Sequence, residues 1–231
     1  GASLPESQYD HIAFFKHGFL LFITYKQVPE SHAIFQRFAK VFEQTYTRFL
    51  DLQKAEAQAK EAKIEAQKIS ELFSGKLYMN ENANRKNFID ATTSFSLHHL
   101  AMHSLLENDY SKSSLVFSGG QKVYFDELYQ LNFPSDLVVL SACNTGIGTM
   151  ESGEGMMSLS RALTYSGVKS SVYSLWQVPD KETSEIMISF YENLKNGQPK
   201  DEALTNAKKE FLANYKMKQN QFYWAGFVVN G

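Results

Sequence analysis

A cysteine that attacks a carbonyl needs a base beside it and backbone N–H groups to receive the oxyanion. The one cysteine of this chain, Cys143, lies in DLVVLSACNTGIGTMESGEG, residues 136–155. The apolar run Leu137, Val138, Val139 and Leu140, preceded by Pro134 and Asp136, reads as a strand buried on both faces. Beyond the cysteine come Asn144, Thr145, Gly146 and Gly148, then Gly153 and Gly155 ahead of a helical pattern at Met156–Tyr165. In an open α/β sheet chemistry gathers outside the carboxyl ends of the strands, which is where this pattern puts the sulfur. A second segment, SFSLHHLAMH at 94–103, reads as another buried strand, with His103 at its end. A histidine and a cysteine ending two strands could lie side by side at one sheet edge, the imidazole serving as base and lowering the thiol pKa. Free cysteine is also commonly a small buried hydrophobe, and position alone leaves both readings open. Gly146 and Gly148 would free N–H groups near the sulfur, though their spacing equally suits a tight crossover loop.

Three histidines, His98, His99 and His103, raise the question of a metal. On a helix His99 and His103 would share a face, but no glutamate follows His99, and on a strand four residues span about 13 Å, too far for one ion. No metal and no cofactor are expected. Strand alternation puts residues 97, 99, 101 and 103 on one face, so His99 reads as buried, hydrogen-bonded and structural, while His103 reaches the edge. Asp180 follows the strand pattern ending SLWQV and reads as an N-cap for the helix from Lys181, as an acid in a binding pocket, or as both. Glu154, between two glycines, favours a helix N-terminus. Lys195, Lys200, Lys208, Lys209, Lys216 and Lys218 read as a solvated face.

These residues need a scaffold. His11–Phe15 and Phe19–Lys26 are aromatic and β-branched segments separated by Lys16, His17 and Gly18, a hairpin signal. After Ser31, a candidate N-cap, Ile34, Phe35, Phe38, Val41, Phe42, Tyr46 and Phe49 recur at helical spacing. Residues 51–70, DLQKAEAQAKEAKIEAQKIS, have high helix propensity, few large apolar side chains and no sustained heptad. Read literally, residues 32–73 form one helix roughly 60 Å long at about 1.5 Å per residue, longer than a compact domain wants. Two helices with a break, or a helical connection between two parts of the protein, are therefore expected. Further on, 84–89 reads as a short helix, 115–117 as a strand turned by Gly119 and Gly120, and 126–131 as a short helix. The helix at 156–165 is stopped by Gly167, and 170–178 is the next strand. Helices at 183–194 and 200–211, separated by Gly197 and Pro199, precede a last strand at 223–229. Such alternation implies a mostly parallel sheet covered on both faces, with no internal repeat.

At 231 residues the chain can bury a full core, and its net charge of −2 gives no electrostatic footprint for nucleic acid. A single cysteine excludes an internal disulfide and, with no signal pattern at the start, fits a reducing cytoplasm. The longest early apolar stretch, IAFFKHGFLLFITY, is broken by Lys16, His17 and Gly18, so no membrane span is expected. Gly1 and Ala2 read as a cloning remnant, and the chain as a piece of something longer.

Several blocks resemble the CHAT domain, a caspase-like peptidase family often attached to tetratricopeptide repeats. HLAMHS at 99–104 is similar to the family's HLATHG, and DLVVLSACNTGIG to its DLVVLSACETGLG. GEGMMSLSRALTYSGVKSSVYSLWQVPD resembles the family stretch GEG, LARAFLYAGA, VVxSLWxVxD, and FYWAGFVVNG its closing YYWAAFVLxG. The resemblance runs from about Ser70 to Gly231, dividing the chain into an N-terminal hairpin and helical region at 1–69, separate or part of the same domain, and a CHAT domain at 70–231. It implies a three-layer α/β/α sandwich with a mostly parallel central sheet. It further implies His103 as general base, Cys143 as nucleophile, and the backbone N–H groups of Ser104 and Cys143 as the oxyanion site. In related peptidases such as separase an aspartate matching Asp180 helps recognise a basic residue before the cut, which implies a substrate-pocket role here. Three features differ from the family: Ser104 stands for its usual glycine, Asn144 for its usual glutamate, and the Ala/Glu/Lys/Gln helix for a region with a PFE-like motif.

Two functions are carried forward. One is a cysteine endopeptidase cutting a protein substrate under the control of tetratricopeptide repeats or another regulatory partner. The other is a catalytically silent, caspase-like interaction module.

Overall fold

The computed structural model describes residues 7–102, 104–105, 107, 112–141, 152–176 and 178–231, with the backbone alone for 152–158. The chain forms two compact units, residues 1–58 and 59–231. In the first, β1 (Tyr9–Phe15) and β2 (Gly18–Thr24) pair antiparallel, with Phe15 opposite Gly18; of the three residues expected to join the strands, Lys16 and His17 make the turn and Gly18 opens β2. One face of this hairpin meets the start of α1 (His32–Phe73): Phe22 stacks on Phe35 at 4.4 Å between centroids, and Phe15 sets its edge on Phe42 at 5.3 Å.

α1 is a single helix of 42 residues, and the unit boundary falls within it. The break expected from its length is absent because residues 32–73 contain neither glycine nor proline, and their Ala, Glu, Lys and Gln are strong helix formers.

The second unit is mixed α/β, as the alternation of patterns predicts. α2 (Arg85–Ala91), capped by the Asn84 side chain on the Asn87 N–H, leads into β3 (Leu97–Leu100). The next elements are β4 (Ser104–Leu105), β5 (Ser114–Val116), β6 (Lys122–Tyr124) and α3 (Phe125–Leu128). β7 (Leu137–Leu140), α4 (Ser152–Tyr165), β8 (Ser171–Ser174), α5 (Asp180–Lys195), α6 (Lys200–Asn214) and β9 (Phe227–Asn230) complete the order. The central sheet has the order β3-β7-β8-β9, with β3, β7 and β8 parallel and β9 antiparallel. All four residues of β7 are buried, and their alternation sorts them between two cores. Val138 and Leu140 join Phe88, Leu128, Leu159 and Leu163. Leu137 and Val139 join Ile69, Ile186, Phe190 and Leu204. Helices therefore cover both faces of this sheet.

Three readings change. β3 stops at Leu100 and does not run to 103, because the chain leaves the central sheet there and Ser104 pairs with Leu115 in a separate antiparallel sheet, β4-β5-β6. That sheet is turned where expected, with Gly119 at φ +66° and Gly120 at φ +73°, a conformation glycine takes without penalty. β8 is shorter than 170–178: beyond it the Trp176 indole N–H donates to the Phe222 carbonyl (3.0 Å) and the ring lies against Gly226. Three of the lysines read as a solvated face are tied down. Lys200 Nζ donates to the Asp136 carbonyl and Ser170 Oγ (both 2.8 Å), Lys208 Nζ to the Phe227 carbonyl (2.6 Å), and Lys218 pairs with buried Glu182. Their ammonium groups satisfy backbone carbonyls, a hydroxyl and a carboxylate at the sheet and helix ends. No helix among the described residues is long and apolar enough to cross a membrane.

Candidate functional site

Because β3, β7 and β8 are parallel, their carboxyl ends, Leu100, Leu140 and Ser174, open on the same edge of the central sheet. The pairing of β3 with β7 keeps a constant offset, Leu97 opposite Leu137 through Leu100 opposite Leu140. It extends one residue further, the Ser141 N–H donating to the Leu100 carbonyl at 3.3 Å. His103 and Cys143, the expected base and nucleophile, lie outside the described residues, as do Asn144 and the glycines at 146 and 148.

Ser104 belongs to β4, opposite Leu115, and is buried, 3% exposed. It is not among the non-glycine residues with positive φ, so its backbone makes no demand that only glycine could meet and serine fits there without φ strain. Asp180 is half-buried and is the first residue of α5, not its cap. Pro179 holds the N-cap position at φ −60° and ψ 143°, and its carbonyl accepts from the Thr183 N–H at 3.0 Å. A proline one residue earlier fixes the entry angle, which moves the carboxylate into the first turn, where it complements the helix dipole together with Glu182. Asp180 thus stands at the end of the loop that follows β8, on the carboxyl side of the sheet.

The two adjacent histidines of β3 face opposite sides of the strand, so they cannot share an ion. On one side His98 Nε2 donates to the Ala91 carbonyl and Nδ1 meets Ser135 Oγ, both at 3.1 Å, with the Phe133 ring edge-on at 4.7 Å. Burial holds the His98 pKa below its ordinary value, the carbonyl bond opposing only in part. On the other side His99 is buried and hydrogen-bonded, as strand alternation predicts. Its Nδ1 lies 3.1 Å from the Tyr191 hydroxyl, and its Nε2 lies 3.2 Å from Ser141 Oγ and 3.1 Å from Glu65 Oε1.

Glu65 is the residue that sequence reasoning misses. Set in KIEAQK, it looks like part of a solvated face, yet only 3% of it is exposed. The signal was the helical spacing from Glu65 to Ile69 and Leu72, which places the carboxylate on the stripe that packs into the core. Tyr191 is fully buried, and burial, with the Glu65 charge nearby, raises its pKa well above the usual phenol value. It therefore stays protonated, and its hydroxyl and Ser141 Oγ hydrogen-bond the two nitrogens of the His99 ring. Glu65 Oε1 is as close to Nε2 but too oblique for a hydrogen bond. This is not the relay of a hydrolase triad, in which carboxylate and hydroxyl engage opposite ring nitrogens. Here both crowd the same one.

Two much longer proteins are similar to part of this chain. Tetratricopeptide repeat protein 28 of human is 30% identical over 105 residues, 46% of this chain, and its mouse counterpart is identical to the same degree over the same length. The chain spans only about 4% of the length of those relatives. The CHAT domain profile, in contrast, matches residues 10–231, from the hairpin to the last residue of the chain. With the profile taking in nearly the whole sequence, the chain belongs to the CHAT domain family.

Proposed function

We propose that this protein is a cysteine endopeptidase on a caspase-like α/β/α sandwich, with His103 as general base and Cys143 as nucleophile. One observation supports the reading: Leu100 and Leu140 are paired at the carboxyl ends of β3 and β7, and in the sequence the histidine and the cysteine each follow three residues later. In the chemistry, the imidazole takes the thiol proton and the thiolate attacks the scissile carbonyl carbon. The oxyanion that forms accepts from the N–H groups of Ser104 and Cys143. As the C–N bond breaks, the imidazolium gives its proton to the leaving amine, and a water deprotonated by His103 then hydrolyses the thioester, releasing the acid and the thiolate. No cofactor or metal enters any step.

Asp180, on the loop end beyond β8, would receive a basic residue before the cut. The tetratricopeptide repeats in the names of the relatives support a repeat module as the regulatory partner. The test is cleavage of a mixed peptide library by the whole chain. Cys143→Ala is expected to abolish every cut, and Asp180→Asn to reduce cleavage after Lys and Arg about tenfold or more. An unchanged cleavage pattern in Cys143→Ala contradicts the reading, and no cleavage by the wild-type chain leaves the silent interaction module in its place.

A further inference from the structure

A carboxylate that is 4% exposed at its side chain, beside an imidazole that is 7% exposed, is costly to bury and is not used by the chemistry above. Its position says what it does. Ser141 is the last described residue before Cys143, and it is held from both its main chain and its side chain. Its N–H is bound to the Leu100 carbonyl, and its Oγ is hydrogen-bonded to His99 Nε2. The His99 ring is in turn held by the Tyr191 hydroxyl, and its edge meets the Tyr191 ring at 5.5 Å between centroids and an interplanar angle of 72°. Phe73 closes on the other side of Tyr191 at 5.8 Å. α1 and α5 thus meet β3 around the His99 ring, whose Nε2 reaches the hydroxyl of Ser141, two residues before Cys143.

We infer that Glu65, His99, Tyr191 and Ser141 form a positioning unit that fixes the direction in which the chain leaves β7, and through it the placement of Cys143. The inference rests on the reading of Cys143 as nucleophile. None of the four touches substrate. The unit acts by removing alternatives: Ser141 cannot rotate without breaking the bond to His99, and His99 cannot turn without losing both Tyr191 and the alignment of its Nε2 between Ser141 and Glu65. Those are the charged and titratable side chains that face His99 from the elements packed against it, α1 and α5, and no other is found there among the described residues.

The experiment is the pH dependence of Cys143 alkylation by iodoacetamide in the whole chain, with a thermal melt of each variant. Wild type is expected to react with a midpoint below the ordinary thiol value of about 8.5. Ser141→Ala is expected to raise that midpoint and to slow the reaction at pH 7 about tenfold while the chain remains folded, and Ser141→Thr, which keeps the hydroxyl, to restore it. Tyr191→Phe is the second variant, expected to shift the midpoint in the same direction should Ser141→Ala fail to fold. A depressed midpoint that depends on His103 but is unmoved in Ser141→Ala and Tyr191→Phe overturns the positioning unit and leaves the peptidase standing. A wild-type midpoint near 8.5 that His103→Ala leaves unchanged overturns both.

Discussion

His98 and His99 are neighbours in sequence and do different things because a strand turns successive side chains to opposite faces. That much was legible: strand alternation assigns His99 to the interior. Glu65 was not, since a charged residue among Lys, Gln and Ala carries no mark of burial when the stripe it belongs to is sparse. His98 makes a prediction of its own. Burial lowers its pKa in the folded chain, so as pH falls through about 6.5 the unfolded chain takes up a proton that the folded chain refuses. Its contribution is fully present above that pH and is lost below it, with a slope of at most about 1.4 kcal/mol per pH unit from one group. Urea unfolding at pH 7.5 and 5.5 should show wild type losing stability on acidification and His98→Gln losing distinctly less. Equal losses would show that other groups set the acid limit.

Elements differed from their expected bounds wherever tertiary contacts compete with local pattern. α1 runs unbroken because its propensity meets no breaker, although its length argued for one. β3 and β8 end early because the segments after them are claimed by Ser104 pairing in the second sheet and by Trp176 packing on Gly226. β6 was not foreseen, as three residues, KVY, are too few to show a period. At Gly226 an added Cβ would sit 3.0 Å from Trp176 Cε2 and 3.2 Å from Val178 Cγ2. Gly226→Ala should therefore displace the indole and cost about 1–3 kcal/mol, seen as a lower Tm with a shift in tryptophan emission. An unaltered emission spectrum would mean that the segment between β8 and α5 does not depend on this contact. Phe190, fully buried on α5 against the Leu137 and Val139 face of the sheet, should cost about 3–5 kcal/mol when cut to alanine. Chemical denaturation would register that as a large fraction of the roughly 5–15 kcal/mol that a domain has.

At the scale of the whole molecule, the blocks that named the family are those that build the sheet edge. DLVVL supplies the doubly buried central strand, LHHL the parallel strand beside it, and SVYS the strand that leads to Asp180. The resembling blocks begin only near Ser70, because the aromatic alternation of the hairpin and an Ala/Glu/Lys/Gln helix are shared by many folds, yet the family profile begins at residue 10. The constant strand register brings the carboxyl ends of β3, β7 and β8 to one edge, and the proposal sets a base and a nucleophile there. The most direct measurement is the pH midpoint of Cys143 alkylation in wild type and in His103→Ala. A wild-type midpoint well below about 8.5 that returns to the ordinary thiol value in His103→Ala is the predicted result. Equal midpoints in the two proteins would contradict it.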